Sequence, residues 1–148
     1  MDRTGIRTRE EFTNFDLKFQ WRVAANANSG CLYRLYPLDF IGGRPAPGAA
    51  AGMEYQVADD DGDPGARVDP RQRSGALYAV VPVQRSAARV VGEWNDSRIV
   101  VTRDRIEHWL NGVQTVNYRV DVPFASPILL QHHGSEVRFR NLRIRRLH

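Results

Sequence analysis

GEWNDSRIVVTRDRIEHWLNG, residues 92–112, is the stretch on which the reading of the fold turns. Arg98 to Thr102 is rich in β-branched residues, and Arg105 to Leu110 mixes apolar with polar ones, so both read as strands. Arg103-Asp104 between them supplies a tight turn, because aspartate tolerates left-handed backbone and can bond its own main chain. Asn111-Gly112 is a second turn signal and leads into a third strand, Val113 to Tyr118. The segment predicts a three-stranded antiparallel meander, with Trp94 at its entrance and Trp109 near its exit.

The same alternation extends on both sides. Phe15, Leu17, Phe19, Trp21 and Val23 alternate with Asp16, Lys18, Gln20 and Arg22, which specifies a strand with one buried and one wet face. Ala24 to Gly30 reads as a turn of small and Asx residues, and Cys31 to Arg34 as resumed strand. Pro37 to Gly52 is a long Gly/Pro/Ala-rich loop, and long loops in compact domains are often functional. Met53 to Ala58 predicts a short strand with Glu54 and Gln56 on one face and Tyr55 and Val57 on the other. Asp59 to Ser74 is a second polar loop, Gly75 to Pro82 a strand stopped by proline, and Pro123 to Pro127 a turn. Ile128 to Gly134 is a short strand, and Val137 to Leu147 closes the chain.

No stretch of ten or more residues carries helical periodicity. Short strands separated by Gly, Pro and Asx turns predict an all-β sandwich or jelly roll of two antiparallel sheets. A chain of 148 residues forms one such domain, taken as 8–148 after a polar lead-in at 1–7.

The net charge of +4 comes from arginine, with Lys18 the only lysine. Most arginines are scattered; the dense group Arg138, Arg140, Arg143, Arg145 and Arg146 alternates with apolar residues and reads as the solvated side of a last strand. No nucleic-acid partner is therefore expected. No apolar run approaches the ~18 residues of a membrane helix, and Met1 to Glu11 lacks the apolar core of a secretion signal. Cys31, alone, cannot form an internal disulfide and reads as a small buried side chain. Asp59-Asp60-Asp61 reads either as a solvated loop or as carboxylates for a hard divalent cation, without the spacing of a calcium loop.

The candidate chemistry lies in polar and aromatic residues on β-forming segments: Arg34, Glu54, Gln56, Tyr78, His108, Trp109, Gln131 and His133. Carboxylate, amide, guanidinium, imidazole and indole groups on a concave sheet suit a saccharide, whose hydroxyls take hydrogen bonds and whose C–H face covers an aromatic ring. His108 reads equally as a hydrogen-bonded core histidine, and it points away from Trp109, so only one of the two can face a given ligand. No phosphate loop, nucleophile elbow or zinc spacing is present.

Several motifs resemble those of one family. NSGCLYR at 28–34, MEYQVADD at 53–60, GALY at 75–78, GEWN at 92–95, RIEHWLNG at 105–112, LQHHG at 130–134 and VRFRNLRIR at 137–145 follow each other as in 3-keto-disaccharide hydrolase domains. The resemblance implies a concanavalin-like lectin/glucanase jelly roll, an oxidised di- or oligosaccharide as substrate, and export to the periplasm or outside the cell. It also implies an open sheet edge available for self-association, because family members ordinarily carry a further N-terminal strand pair. His132 stands where the family usually has aspartate. The resemblance suggests Glu54 as base and His133 or His108 as acid toward the leaving group. Arg34 or a divalent cation would polarise the carbonyl, with Gln56, Asp59, Tyr78, Gln131 and Trp109 placing the sugar. A non-catalytic carbohydrate-binding module is the alternative.

Overall fold

The computed structural model describes residues 5–35, 52–121 and 125–148. These form β1 (Ile6–Arg7), β2 (Phe15–Val23), β3 (Asn28–Tyr33), β4 (Met53–Ala58), α1 (Pro64–Val68), β5 (Asn95–Val101), β6 (Arg105–Leu110), β7 (Val113–Arg119), β8 (Leu129–Leu130) and β9 (Val137–Arg146). The strands make two antiparallel sheets, one ordered β1-β8-β3-β4 and one ordered β7-β6-β5-β2-β9.

The meander is present as read. Val101 faces Ile106 across the first turn and Leu110 faces Val113 across the second. Asn111 (φ 49°) and Gly112 (φ 80°) both adopt the left-handed backbone that a two-residue hairpin turn needs. β2 runs down the middle of the five-stranded sheet, between β5 and β9. Its five apolar residues are buried, and with Tyr33, Tyr55, Val57, Leu77, Ile99, Ile106 and Leu110 they fill the space between the sheets. Burying each such side chain contributes roughly 1.5–3 kcal/mol. Phe15 meets Tyr33, and Phe19 meets Tyr55, edge to face at 5.7 and 5.6 Å between ring centres.

Three segments differ from their sequence reading. Gly75 to Pro82 is not a strand: Leu77 alone bridges Tyr55 and Val81, because the chain doubles back with Ala79 in left-handed backbone. Ile128 to Gly134 contributes only Leu129–Leu130. Ile6–Arg7, from the lead-in, adds an edge strand beside β8. The Pro37 to Gly52 loop, apart from Gly52, lies outside the described residues.

His108 corrects a functional expectation. It sits on the inner face of β6, fully buried, and is part of the core rather than of any surface site. Its Nδ1 donates to the Gly75 carbonyl at 3.0 Å, which leaves Nε2 to accept the Tyr33 hydroxyl at 2.6 Å. Both nitrogens are therefore spent on joining the two layers. A second junction is made by Ser97, whose Oγ takes part in bonds with the Trp21 indole N–H at 2.8 Å and the Tyr55 hydroxyl at 2.6 Å. Burial lowers the His108 pKa to about 3.

The unfolded chain protonates this histidine near pH ~6.5, whereas the folded chain resists until about 3. Its contribution to stability is thus complete above the unfolded value and drains away as pH falls through that interval. His108→Gln should lower stability at neutral pH and flatten the fall between those limits. Chemical denaturation at a series of pH values measures both.

Candidate active site

The outer side of the four-stranded sheet is set by alternation along β3 and β4. Tyr55 and Val57 enter the core, so Glu54 and Gln56 point the other way. On β3, Ser29, Cys31 and Tyr33 alternate with Asn28, Gly30 and Leu32, and the register places Gly30 opposite Gln56 and Leu32 opposite Glu54. On the far side of β3, the Gln131 N–H donates to the Gly30 carbonyl at 2.9 Å. The Tyr78 N–H donates to the Glu54 carbonyl at 3.0 Å, and Tyr78 is 37% exposed. Glu54, Gln56, Tyr78 and Gln131 are thus gathered on neighbouring chain segments.

Gly30 is the floor of this site. A Cβ there would come within 2.2 Å of Glu54 Oε1, so the carboxyl rests where a side chain is missing. The Glu54 residue is only 7% exposed and no hydrogen bond reaches its carboxyl among the described residues. Burial raises its pKa to about 8. Beside it, Gln131 Oε1 meets His133 Nε2 at 2.9 Å, and His133 is exposed. On the other side Gln56 Nε2 reaches Asn28 Oδ1 at 3.5 Å, and Asn28 Nδ2 donates to Asp63 Oδ1 at 3.3 Å. Gln56 Oε1 is buried with no hydrogen-bond partner among the described residues. An orphaned acceptor next to a proton-poised carboxyl suits a hydroxylated ligand.

Other expected residues lie elsewhere. Trp109 is on the outer face of β6, in the opposite sheet, and cannot contact a sugar held over Gly30. Arg34 is fully buried at the end of β3, and its Nη2 donates to the Thr102 and Arg103 carbonyls of the β5–β6 turn at 2.6 and 3.4 Å. It joins the two sheets at their rim. Asp59 is buried and its carboxylate is used by the loop: Oδ2 accepts Asn26 N–H at 2.8 Å, and Oδ1 accepts Asp61 and Gly62 N–H at 3.3 and 3.0 Å. Asp60 accepts from Ser74 N–H at 2.7 Å and from the Ser86 hydroxyl. Among the described residues no three His, Cys, Asp or Glu side chains converge as a metal site.

Asn28, Gly30 and Asp63 also stand at this candidate site, and the sequence reading does not single them out. Asn28 and Gly30 stand inside the NSG element, which reads as a turn until the register shows it to be the start of β3. Asp63 caps α1 through Ala66 N–H at 2.9 Å, a role signalled by the following Pro64.

Comparison with known proteins gives the family and the fold. A curated 3-keto-disaccharide hydrolase from Bacteroides thetaiotaomicron is 28% identical over 171 residues, covering 91% of this chain and 59% of that protein. The chain therefore spans about three fifths of the length of that relative. Two crystal structures of a candidate glycosyl hydrolase from Parabacteroides distasonis superpose with TM-scores of 0.82 and 0.80, at 27% and 26% identity. They are covered over 77% and 85% of their lengths, and each match takes in 99% of this chain. The carbohydrate binding module CBM66 from Bacillus subtilis shares the fold at a TM-score of 0.64 and 10% identity, over 97% of this chain and 83% of that one. A family model described as a 3-keto-alpha-glucoside-1,2-lyase-like domain matches residues 2–145, nearly the whole length, and the chain belongs to that family.

Proposed function

We propose that the chain cleaves the glycosidic bond of 3-keto-glycosides over Gly30, by elimination followed by hydration. The observation that carries this reading is the Glu54 carboxyl, buried, unbonded and raised to about 8, in a member of this family. A 3-ketone acidifies the hydrogen on C2, and the glycosidic oxygen on C1 lies β to the carbonyl. Glu54 takes the C2 proton, and the C–H electron pair becomes an enolate. The enolate re-forms the ketone, makes a C1–C2 double bond and expels the aglycone oxygen, which His133 protonates. Water then adds at C1 and a proton returns to C2, so the balance is hydrolysis. A base is most effective when its pKa lies near the working pH, which desolvation achieves for Glu54.

Positioning falls to groups on the same face. Gln56 Oε1 and the Asn28 amide stand beside Glu54 on one side, Gln131 on the other, and the Tyr78 hydroxyl near the exposed rim. Arg34 and His108, both engaged in joining the sheets, take no part in the chemistry. That commitment is what favours the second reading, a carbohydrate-binding domain without catalysis.

Glu54→Gln on a 3-keto-disaccharide separates the two. Its kcat/KM should fall by about 10²–10⁴, the usual worth of a positioned base. The wild-type rate should climb with pH and level off near 8, and a C2-deuterated substrate should react more slowly. Turnover at the wild-type rate in the variant excludes Glu54 as base.

A stability measurement tests the carboxyl without substrate. Its pKa is raised by folding, from 4.5 to about 8, so the folded state holds a proton that the unfolded state has lost across that range. Stability from this group is full below the unfolded value and declines as pH rises toward 8. Glu54→Gln should therefore gain stability relative to wild type as pH rises from 4.5 to 8, read as the difference in Tm at the two ends.

Gly30→Ala should displace the whole Glu54 side chain, because the added Cβ would meet its Oε1, Cδ and Cγ at 2.2, 2.8 and 2.9 Å. We expect a loss of at least about tenfold in kcat/KM at a temperature where a melting curve shows the variant still folded.

A further inference from the structure

The outer face of the five-stranded sheet carries a second arrangement, on the opposite side of the sandwich from Gly30. The strand register aligns Arg143 of β9, Lys18 of β2, Arg98 of β5 and Trp109 of β6 in one row across the sheet. Row neighbours on adjacent strands have Cβ atoms about 4.5–5.5 Å apart. Three cations side by side at that spacing repel one another, a cost that a sheet ordinarily avoids. Of the three, Arg98 is bonded to Asp16, at 2.9 and 2.8 Å, and Arg145, outside the row, reaches the same carboxylate at 3.2 Å; Glu107 adds a second favourable charge near Arg98. Lys18 and Arg143 form no ion pair among the described residues.

The row lies in a groove of about 390 Å³, within the range of small-ligand clefts. At its other end the character changes. Asp96 lines the groove with Trp109, its Oδ1 accepting Gln20 Nε2 at 2.6 Å and its Oδ2 3.8 Å from Arg89 Nη1; outside the lining, Gln114 Nε2 donates to Glu107 at 2.9 Å, and Gln114 is registered against Trp109. One end is thus cationic, and the other offers an indole with carboxylate and amide groups. A single-stranded nucleic acid gains from the first end and is repelled at the second; its bases also take a series of stacking platforms, and the row offers one. A saccharide with a carboxylate on one unit and hydroxyls on the next matches both ends: guanidinium and ammonium groups for the acid, the indole for a pyranose C–H face, and Asp96 for hydroxyl donors.

We propose that this groove binds an acidic oligosaccharide, a uronate unit over Lys18 and Arg143 with a neutral pyranose on Trp109. The inference does not depend on the chemistry assigned to Glu54, because the two faces share no side chain. Binding here would hold the protein on an acidic glycan while the Gly30 face stays free.

A glucuronate-substituted xylotriose is the probe, titrated by calorimetry and by indole fluorescence, with unsubstituted xylotriose and a thymidine oligonucleotide in parallel. Saturable binding of the acidic sugar is expected, weakened at least about tenfold by higher salt, by Lys18→Ser with Arg143→Ser, and by Trp109→Leu. The neutral trisaccharide should bind at least about tenfold more weakly, and Glu54→Gln should bind like wild type. Arg143→Ser alone replaces the double variant if melting curves show the latter to be destabilised. Three results overturn the proposal: no binding of the acidic sugar, equal or tighter binding of the oligonucleotide, or undiminished binding by Trp109→Leu.

Discussion

A β-strand has only two sides, and nearly everything here follows from that constraint. On β4 it sends Tyr55 and Val57 into the sandwich and leaves Glu54 and Gln56 outside. On β6 it gives His108 to the interior and Trp109 to the opposite surface. On β2 it turns Phe15 to Val23 into the centre of the core and lays Asp16, Lys18 and Gln20 along the far face. The protein is thereby divided into three zones: a site face, a core and a basic face. No side chain on one strand can belong to two of them. A one-residue slip in β4 would bury Glu54 in the core and expose Tyr55, so register and chemistry are one specification.

The core makes the site face possible at an energetic cost. β3 and β4 are packed on their inner sides by aromatic rings and tied to the other sheet through Tyr33–His108 and Tyr55–Ser97. That rigidity lets the outer side carry a desolvated carboxyl, which opposes folding at neutral pH once it ionises. Leu32, registered against Glu54 and almost wholly buried, adds hydrocarbon rather than water beside it. His108 works in the other direction: it is neutral where the fold needs it neutral, and acid rather than base removes its contribution. The two buried groups therefore draw the stability optimum from opposite sides.

Much of this was legible in the chain. The β2 alternation, the Asn111-Gly112 turn and the β4 pattern are local signals, and each appears where the residues put it. Membership of the family was equally legible, through a series of short motifs in order. What could not be read was long-range. That Gly30 makes room for Glu54 depends on the pairing of β3 with β4, which are far enough apart in sequence that spacing says nothing of register. Arg34 looks like a ligand residue, but the left-handed backbone at that position (φ 46°) accompanies a side chain bonded to the hairpin of the other sheet. His108 was ambiguous because a histidine on a strand looks the same whether its partner is a substrate or a tyrosine 75 residues earlier in the chain. The Asp59-Asp60 carboxylates resemble ligands too, until loop N–H groups are seen to occupy them.

The division of charge between the two outer faces has its own logic. Arg98, Lys18 and Arg143 stand on the five-stranded sheet, while among the described residues no cation bonds the Glu54 carboxyl. Stacked sheets are about 10 Å apart, comparable to the screening length at physiological salt, so side chains on opposed outer faces are further apart still. A cation a few ångströms from Glu54 would favour its ionised form and draw its pKa back toward that of an ordinary glutamate. Keeping guanidinium groups on the remote sheet preserves the apolar environment that raises the carboxyl. The same segregation leaves the remote sheet with more positive charge than Asp16 can neutralise. The basic face and the raised Glu54 carboxyl are two consequences of one arrangement.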